Sequence, residues 1–138
     1  IDEGERVNVN VSDSSAPFDK TGIEAYNNDG MCLVFKGFIE DPSDYRDDIH
    51  ALFIVENSAG EERYVNVDYD SLSINGFMTD FTCYSRTLLD GEFAMLDIEI
   101  TDELDIDDFS DITELEFKLE IRDEDYIQVS EPTVTVHF

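Results

Sequence analysis

The chain has 138 residues, is 41% apolar, and carries 35 Asp and Glu against 8 Lys and Arg, for a formal net charge of -27. The length fits one domain with one core, and 10 Phe and 6 Tyr set it apart from disordered acidic chains, which are poor in aromatics. The charge excludes nucleic acid and anionic lipid surfaces as partners by repulsion, and favours cations, basic proteins or basic cell-wall components.

Residues 1–5 are polar and read as the end of a tether to a single domain spanning residues 1–138. The start at Ile1 rather than Met reads as a processed or truncated N-terminus. Val7, Val9 and Val11 alternate with polar residues, which predicts a half-buried strand. A short strand over residues 23–26 follows, and Asp29-Gly30 is a tight hairpin signal because both residues tolerate positive φ. Residues 31–39 form the next predicted strand, with Met31, Leu33, Phe35 and Ile39 on one face. A loop punctuated by Pro42 leads to residues 49–55, apolar on both faces as a central strand would be. Val65, Val67 and Tyr69 share a face, and Leu72 and Ile74 continue inward to Asn75-Gly76, the strongest hairpin signal in the sequence.

Residues 77–89 are strand-like with weaker periodicity, and Asp90-Gly91 turns the chain into the alternating Leu96, Ile98 and Ile100. In residues 101–111 the acids cluster, and Asp102 is placed to cap one short helical turn near 102–109 that packs Leu104 or Phe109 inward. The clearest strand follows: Leu115, Phe117, Leu119 and Ile121 alternate with Glu116, Lys118, Glu120 and Arg122. Ile127 with Val129, and Val134 with Val136, make two shorter strands around Pro132, which suits an edge or a bulge. About 8–10 short strands at this spacing predict an all-β sandwich or barrel.

Residues 71–78 (Ser-Leu-Ser-Ile-Asn-Gly-Phe-Met) and 111–123 (Asp-Ile-Thr-Glu-Leu-Glu-Phe-Lys-Leu-Glu-Ile-Arg-Asp) resemble motifs of an uncharacterised immunoglobulin-like family in secreted proteins and lipoproteins of Gram-positive bacteria. In that family an aliphatic-Asn-Gly-aromatic-Met turn precedes a Gly-containing turn, where Asp90-Gly91 stands here, and a long alternating acidic strand comes last. The resemblance runs from about Gly22 to the C-terminus and implies an immunoglobulin-like antiparallel β-sandwich, an extracellular or cell-surface location, and an N-terminal lipid anchor as one form of the full-length protein. It carries no catalytic residue over. Cys32 and Cys83 depart from it, as does the lack of basic residues after the middle turn. Their separation of 51 residues suits a bridge between two sheets, but two free thiols serving as small hydrophobes are the favoured reading.

Calcium takes six to eight oxygen ligands, so the acidic loops are its natural sites. Asp102, Asp105, Asp107, Asp108 and Asp111 are the first candidates, ahead of Asp41, Asp44, Asp47 and Asp48, and of residues 123–125. None of these has EF-hand spacing, and solvated loops explain the same acids. His50, His137, Cys32 and Cys83 lie at no zinc-ligand spacing. No nucleophile elbow, phosphate loop or dinucleotide fingerprint is present. Tyr26, Tyr45, Tyr64, Tyr84 and Tyr126 fall on polar phases or in loops, and Tyr84 with Arg86 is the candidate binding contact for a protein or glycan. These features predict a monomeric, non-enzymatic binding or spacer module without a required cofactor and without membrane insertion of this domain, and the resemblance implies that it is an extracellular part of a bacterial surface or secreted protein. A calcium-dependent adhesin or carbohydrate-binding module is the alternative, and a carboxylate-pair hydrolase the third class.

Overall fold

The computed structural model describes residues 21–40, 48–102, 104 and 106–138. The alternating segments there become strands β1 (Ile23–Asn28), β2 (Met31–Glu40), β3 (Ile49–Asn57), β4 (Arg63–Val67), β5 (Ser73–Ile74) and β6 (Phe77–Met78). The chain continues through β7 (Phe81–Thr82), β8 (Arg86–Leu88), β9 (Phe93–Ile100), β10 (Glu114–Arg122), β11 (Gln128–Ser130) and β12 (Thr133–His137). Among the described residues the one helical piece is a 3-10 turn at Phe109–Asp111. The predicted strand over residues 7–11 lies outside the described residues.

All pairings are antiparallel. One sheet has the order β1-β2-β3-β9-β7, the other β6-β5-β10-β4-β8, with β11 and β12 on the far side of β10. Leu115 accordingly faces Ile74 on one side and Val136 on the other. The main strands β2-β3-β9-β7 and β12-β10-β4 follow in chain order the arrangement A-B-E-D and G-F-C, which is the strand order of a constant-type immunoglobulin sandwich.

The two inner faces meet in one core. Leu33, Ala51, Phe53, Val55, Leu96 and Ile98 from the first sheet pack against Val65, Leu115, Phe117 and Leu119 from the second, all at 0% exposure. The Phe53 and Phe117 rings cross the interface edge to face at 5.4 Å. An aromatic chain continues from Phe53 to Phe35 at 5.3 Å and on to Phe38 and the C-terminal Phe138 at 5.0 and 5.1 Å, plugging one end of the sandwich. β3 is central in its sheet and is buried on both faces at Phe53 and Ile54, as its unbroken apolar run predicts.

Three local departures from simple alternation have visible causes. A bulge shifts the β2–β3 register between Phe35 and Gly37, so the phase of β2 flips. Phe38 then packs on the core, and Ile39, expected inside, is 46% exposed. Tyr69, expected on the inner face with Val67, is 88% exposed, because β4 ends at Val67 and the chain turns through Asp70 at φ 59. The helical turn lies later than expected and is capped by Asp108, not Asp102.

Cys32 sits in β2, and Cys83 follows β7, three strand positions away in the same sheet. At roughly 4.8 Å per strand they stand too far apart for a disulfide, and both are thiols. The spacing in sequence suited two strands of a sandwich, but sequence does not say that both strands join one sheet.

Buried Asn57 ties the connections at one end together. Its Nδ2 donates to the Glu61 and Leu88 carbonyls at 2.8 and 3.0 Å, and its Oδ1 accepts from the Ala59 amide at 2.9 Å. Gly30 packs there against residue 59, where a Cβ would come within 2.6 Å of the Ala59 Cα, so the Asp29-Gly30 turn needs glycine for space as well as for its φ of 82.

Candidate functional site

Asn75 and Gly76 adopt φ values of 53 and 83, and this left-handed pair makes the tight turn between β5 and β6. The Asn75 side chain then locks the turn to the body of the domain. Its Oδ1 accepts from the Thr113 amide at 2.8 Å, the Thr113 hydroxyl at 3.1 Å and the Glu114 amide at 3.2 Å. Its Nδ2 donates to the Asp111 carbonyl at 2.9 Å. On the other strand the Thr79 amide donates to the Leu72 carbonyl at 2.9 Å, and the Thr79 hydroxyl to the Phe77 carbonyl at 2.8 Å.

This clamped hairpin ends the second sheet and displays two large apolar side chains: Phe77 is 76% exposed and Met78 64%. Beside them lies an open cleft of about 410 Å³, walled by Ile74, Phe77, Met78, Leu104 and Ile106, with Asp102 as its charged lining residue among the described residues. Met78 also borders a second cleft of about 310 Å³ on its other flank, lined by Asp68, Asp70, Glu116 and Lys118 among others. Phe77 and Met78 thus form an apolar ridge on the wall of the first depression, Met78 also borders the second, and the two depressions carry four carboxylates and one ammonium among their described lining residues.

The acids proposed from sequence as calcium ligands are largely engaged with backbone. Asp102 Oδ2 accepts from the Asp80 amide at 2.8 Å. Asp108 caps the 3-10 turn by accepting from the Ser110 amide at 2.6 Å and from the Ser110 hydroxyl, bonds that hold its carboxyl below the ordinary value of 3.8. Asp111 Oδ2 reaches back to the amides of Asp107 and Asp108 at 2.9 and 3.3 Å, closing a capping box. Asp107 contributes its amide to that box. Asp105 lies outside the described residues, as do Asp41, Asp44 and Asp47, whereas Asp48 is buried at 7% exposure.

Among the described residues, the acids that the fold does bring together are Asp68, Glu120 and Glu131, whose nearest oxygens all lie within 4.8 Å of one another. Asp68 is carried just past β4, Glu120 lies in β10, and Glu131 stands between β11 and β12. Partial burial, a hydrogen bond with Glu131, and the charges of Glu131 and Glu120 push the Asp68 carboxyl up to about 6, against the opposing pull of Lys118. Glu120 is bound by Arg122 at 2.6 Å. The trio therefore already engages one guanidinium through Glu120. Nothing local in the sequence signals it, because its members come from three separate segments.

The two candidate contact residues have different fates. Tyr84 is 81% exposed in the loop between β7 and β8, while the Arg86 Nε donates to the Met95 carbonyl at 3.0 Å. Of the other tyrosines, Tyr26 packs against the core, contrary to its expected polar phase, because the bulge at Glu24–Tyr26 shifts β1 against β2. Tyr64 and Tyr126 meet edge to face at 5.3 Å, and Tyr45 lies outside the described residues. Among the described residues the nearest approach to a nucleophile constellation is on the outer face of the first sheet, where His50 Nδ1 lies 2.9 Å from Asp97. The Asp97 charge also reaches Cys83, but burial first and that charge second push the thiol up to about 12, so it stays protonated and unreactive.

The exposed ridge escaped the sequence reading because periodicity over residues 77–89 is weak: β6, β7 and β8 are two or three residues long and lie in different sheets. Two apolar residues directly after an Asn-Gly turn were the available signal, since a short edge strand exposes both. No protein-family model matches the chain, and a search of the curated proteins returns no match.

Proposed function

We propose that this domain is a non-enzymatic extracellular module of a bacterial surface or secreted protein, used for binding or for spacing. The observation that carries the binding role is the rigid display of Phe77 and Met78 on a hairpin locked by Asn75. Ordering costs for such a surface are met during folding and not during association. The immunoglobulin strand order suits a stack of surface domains, and the sequence resemblance to secreted and lipid-anchored proteins supports the location; both are analogies at the level of fold.

The close carboxylates give a hydrolase little support. The nearest Asp68 and Glu131 oxygens lie within 4.8 Å, whereas glycosidase pairs stand about 5 Å or more apart to admit a sugar or water between them. A calcium-dependent adhesin draws on the same trio, but there calcium would have to displace the Arg122 guanidinium from Glu120. Antibody raised against the domain should label intact cells that carry the full-length protein, or recover it from the medium. Labelling that requires permeabilised cells would overturn the reading.

A further inference from the structure

We infer that the Phe77–Met78 ridge docks an extended segment of a partner protein that presents an apolar side chain between Lys or Arg residues. The inference rests on the binding reading above and gives it a surface and a partner chemistry. An apolar ridge of this exposure loses water-contacting area on association, and large side chains packed into a cleft supply most of an interface's energy. What selects the occupant is charge. Asp102 lines the cleft that Phe77 and Met78 wall, and Asp68, Asp70 and Glu116 line the second cleft that Met78 borders, against Lys118 alone. In sequence, residues 74–80 and 101–114 contain no Lys or Arg. A segment with basic residues on either side of an apolar one places each cation over a carboxylate-bearing depression while its central side chain lies on Phe77 and Met78.

A second copy of this chain is a poor occupant, since each copy carries a formal charge of -27. Acidic or phosphorylated segments are rejected for the same reason. Purely basic segments gain only the screened, exposed ion pairs, which are individually weak.

The test uses two synthetic peptides of equal length and charge, Lys-Leu-Lys-Leu-Lys and Lys-Ser-Lys-Ser-Lys, titrated into the chain at physiological salt. The leucine peptide should bind about tenfold or more tightly than the serine peptide. Its amide shift changes should centre on Ile74, Phe77, Met78 and Thr79. In the double variant F77S/M78S its affinity should fall to that of the serine peptide. Both side chains are exposed, so the variant's melting temperature should match the parent's, and that control is measured alongside. Equal binding of the two peptides, or leucine-peptide binding unaffected by the double variant, would overturn the inference. So would sedimentation showing a dimer of the parent chain that the variant loses, which would give the ridge to a second copy. None of these outcomes bears on cell-surface labelling, so the module reading and this surface fail separately.

Discussion

At the scale of single residues, Asp68 is the group whose chemistry the fold changes most usefully for an experiment. Its carboxyl rises from the ordinary 3.8 to about 6 through partial burial and the neighbouring Glu131 and Glu120. Between those two values the folded chain holds a proton that the unfolded chain has lost. Stability from this group is therefore greatest at low pH, declines as pH climbs from about 4 to about 6, and is fully lost above that. Asp68→Asn keeps a donor toward Glu131 and cannot ionise. The variant should have the higher urea midpoint at pH 7, with the difference from the parent shrinking to nothing near pH 4. A difference that stays constant across that range would show that Asp68 acts through packing alone. No sequence pattern marks Asp68, because its environment is assembled from β10 and the β11–β12 link. The turn residues were legible for the opposite reason: Asn75 and Gly76 advertise left-handed backbone through their own covalent structure.

At the scale of elements, β10 is both the most legible strand and the one that organises its sheet. Leu115, Phe117, Leu119 and Ile121 point into the core, and it is paired along both edges. Phe117→Ala removes a ring that touches Phe53 across the sandwich and should cost ~3–5 kcal/mol. Lys118→Ala, one residue on and exposed, should be near neutral. Denaturant midpoints of the two variants measure this directly, and equal shifts would mean that the strand's inward phase is misassigned. Long strands such as β3, β9 and β10 could be read because their inward phase repeats three or four times. Ile39 and Tyr69 were misplaced because a bulge and a strand end interrupt that phase, and both are set by partner strands remote in sequence. The short edge strands β6 to β8 hold too few residues for any period to register.

At the scale of the whole molecule, the chain carries 35 acids around a core of apolar side chains. Self-repulsion of that charge lowers stability, so added salt of any kind should raise the melting temperature by screening. The account's central claim is that the acids serve as backbone caps and as a field for cationic partners: Asp102, Asp108 and Asp111 are already committed to amides at 3.3 Å or less. On this account the fold has no need of a metal to complete it. The direct test compares calcium with magnesium at matched ionic strength, following the melting temperature. The account predicts equal, gradual rises with the two cations. A calcium rise that exceeds magnesium's and saturates with concentration, as binding to the folded state alone requires, would contradict it and favour the calcium-dependent adhesin.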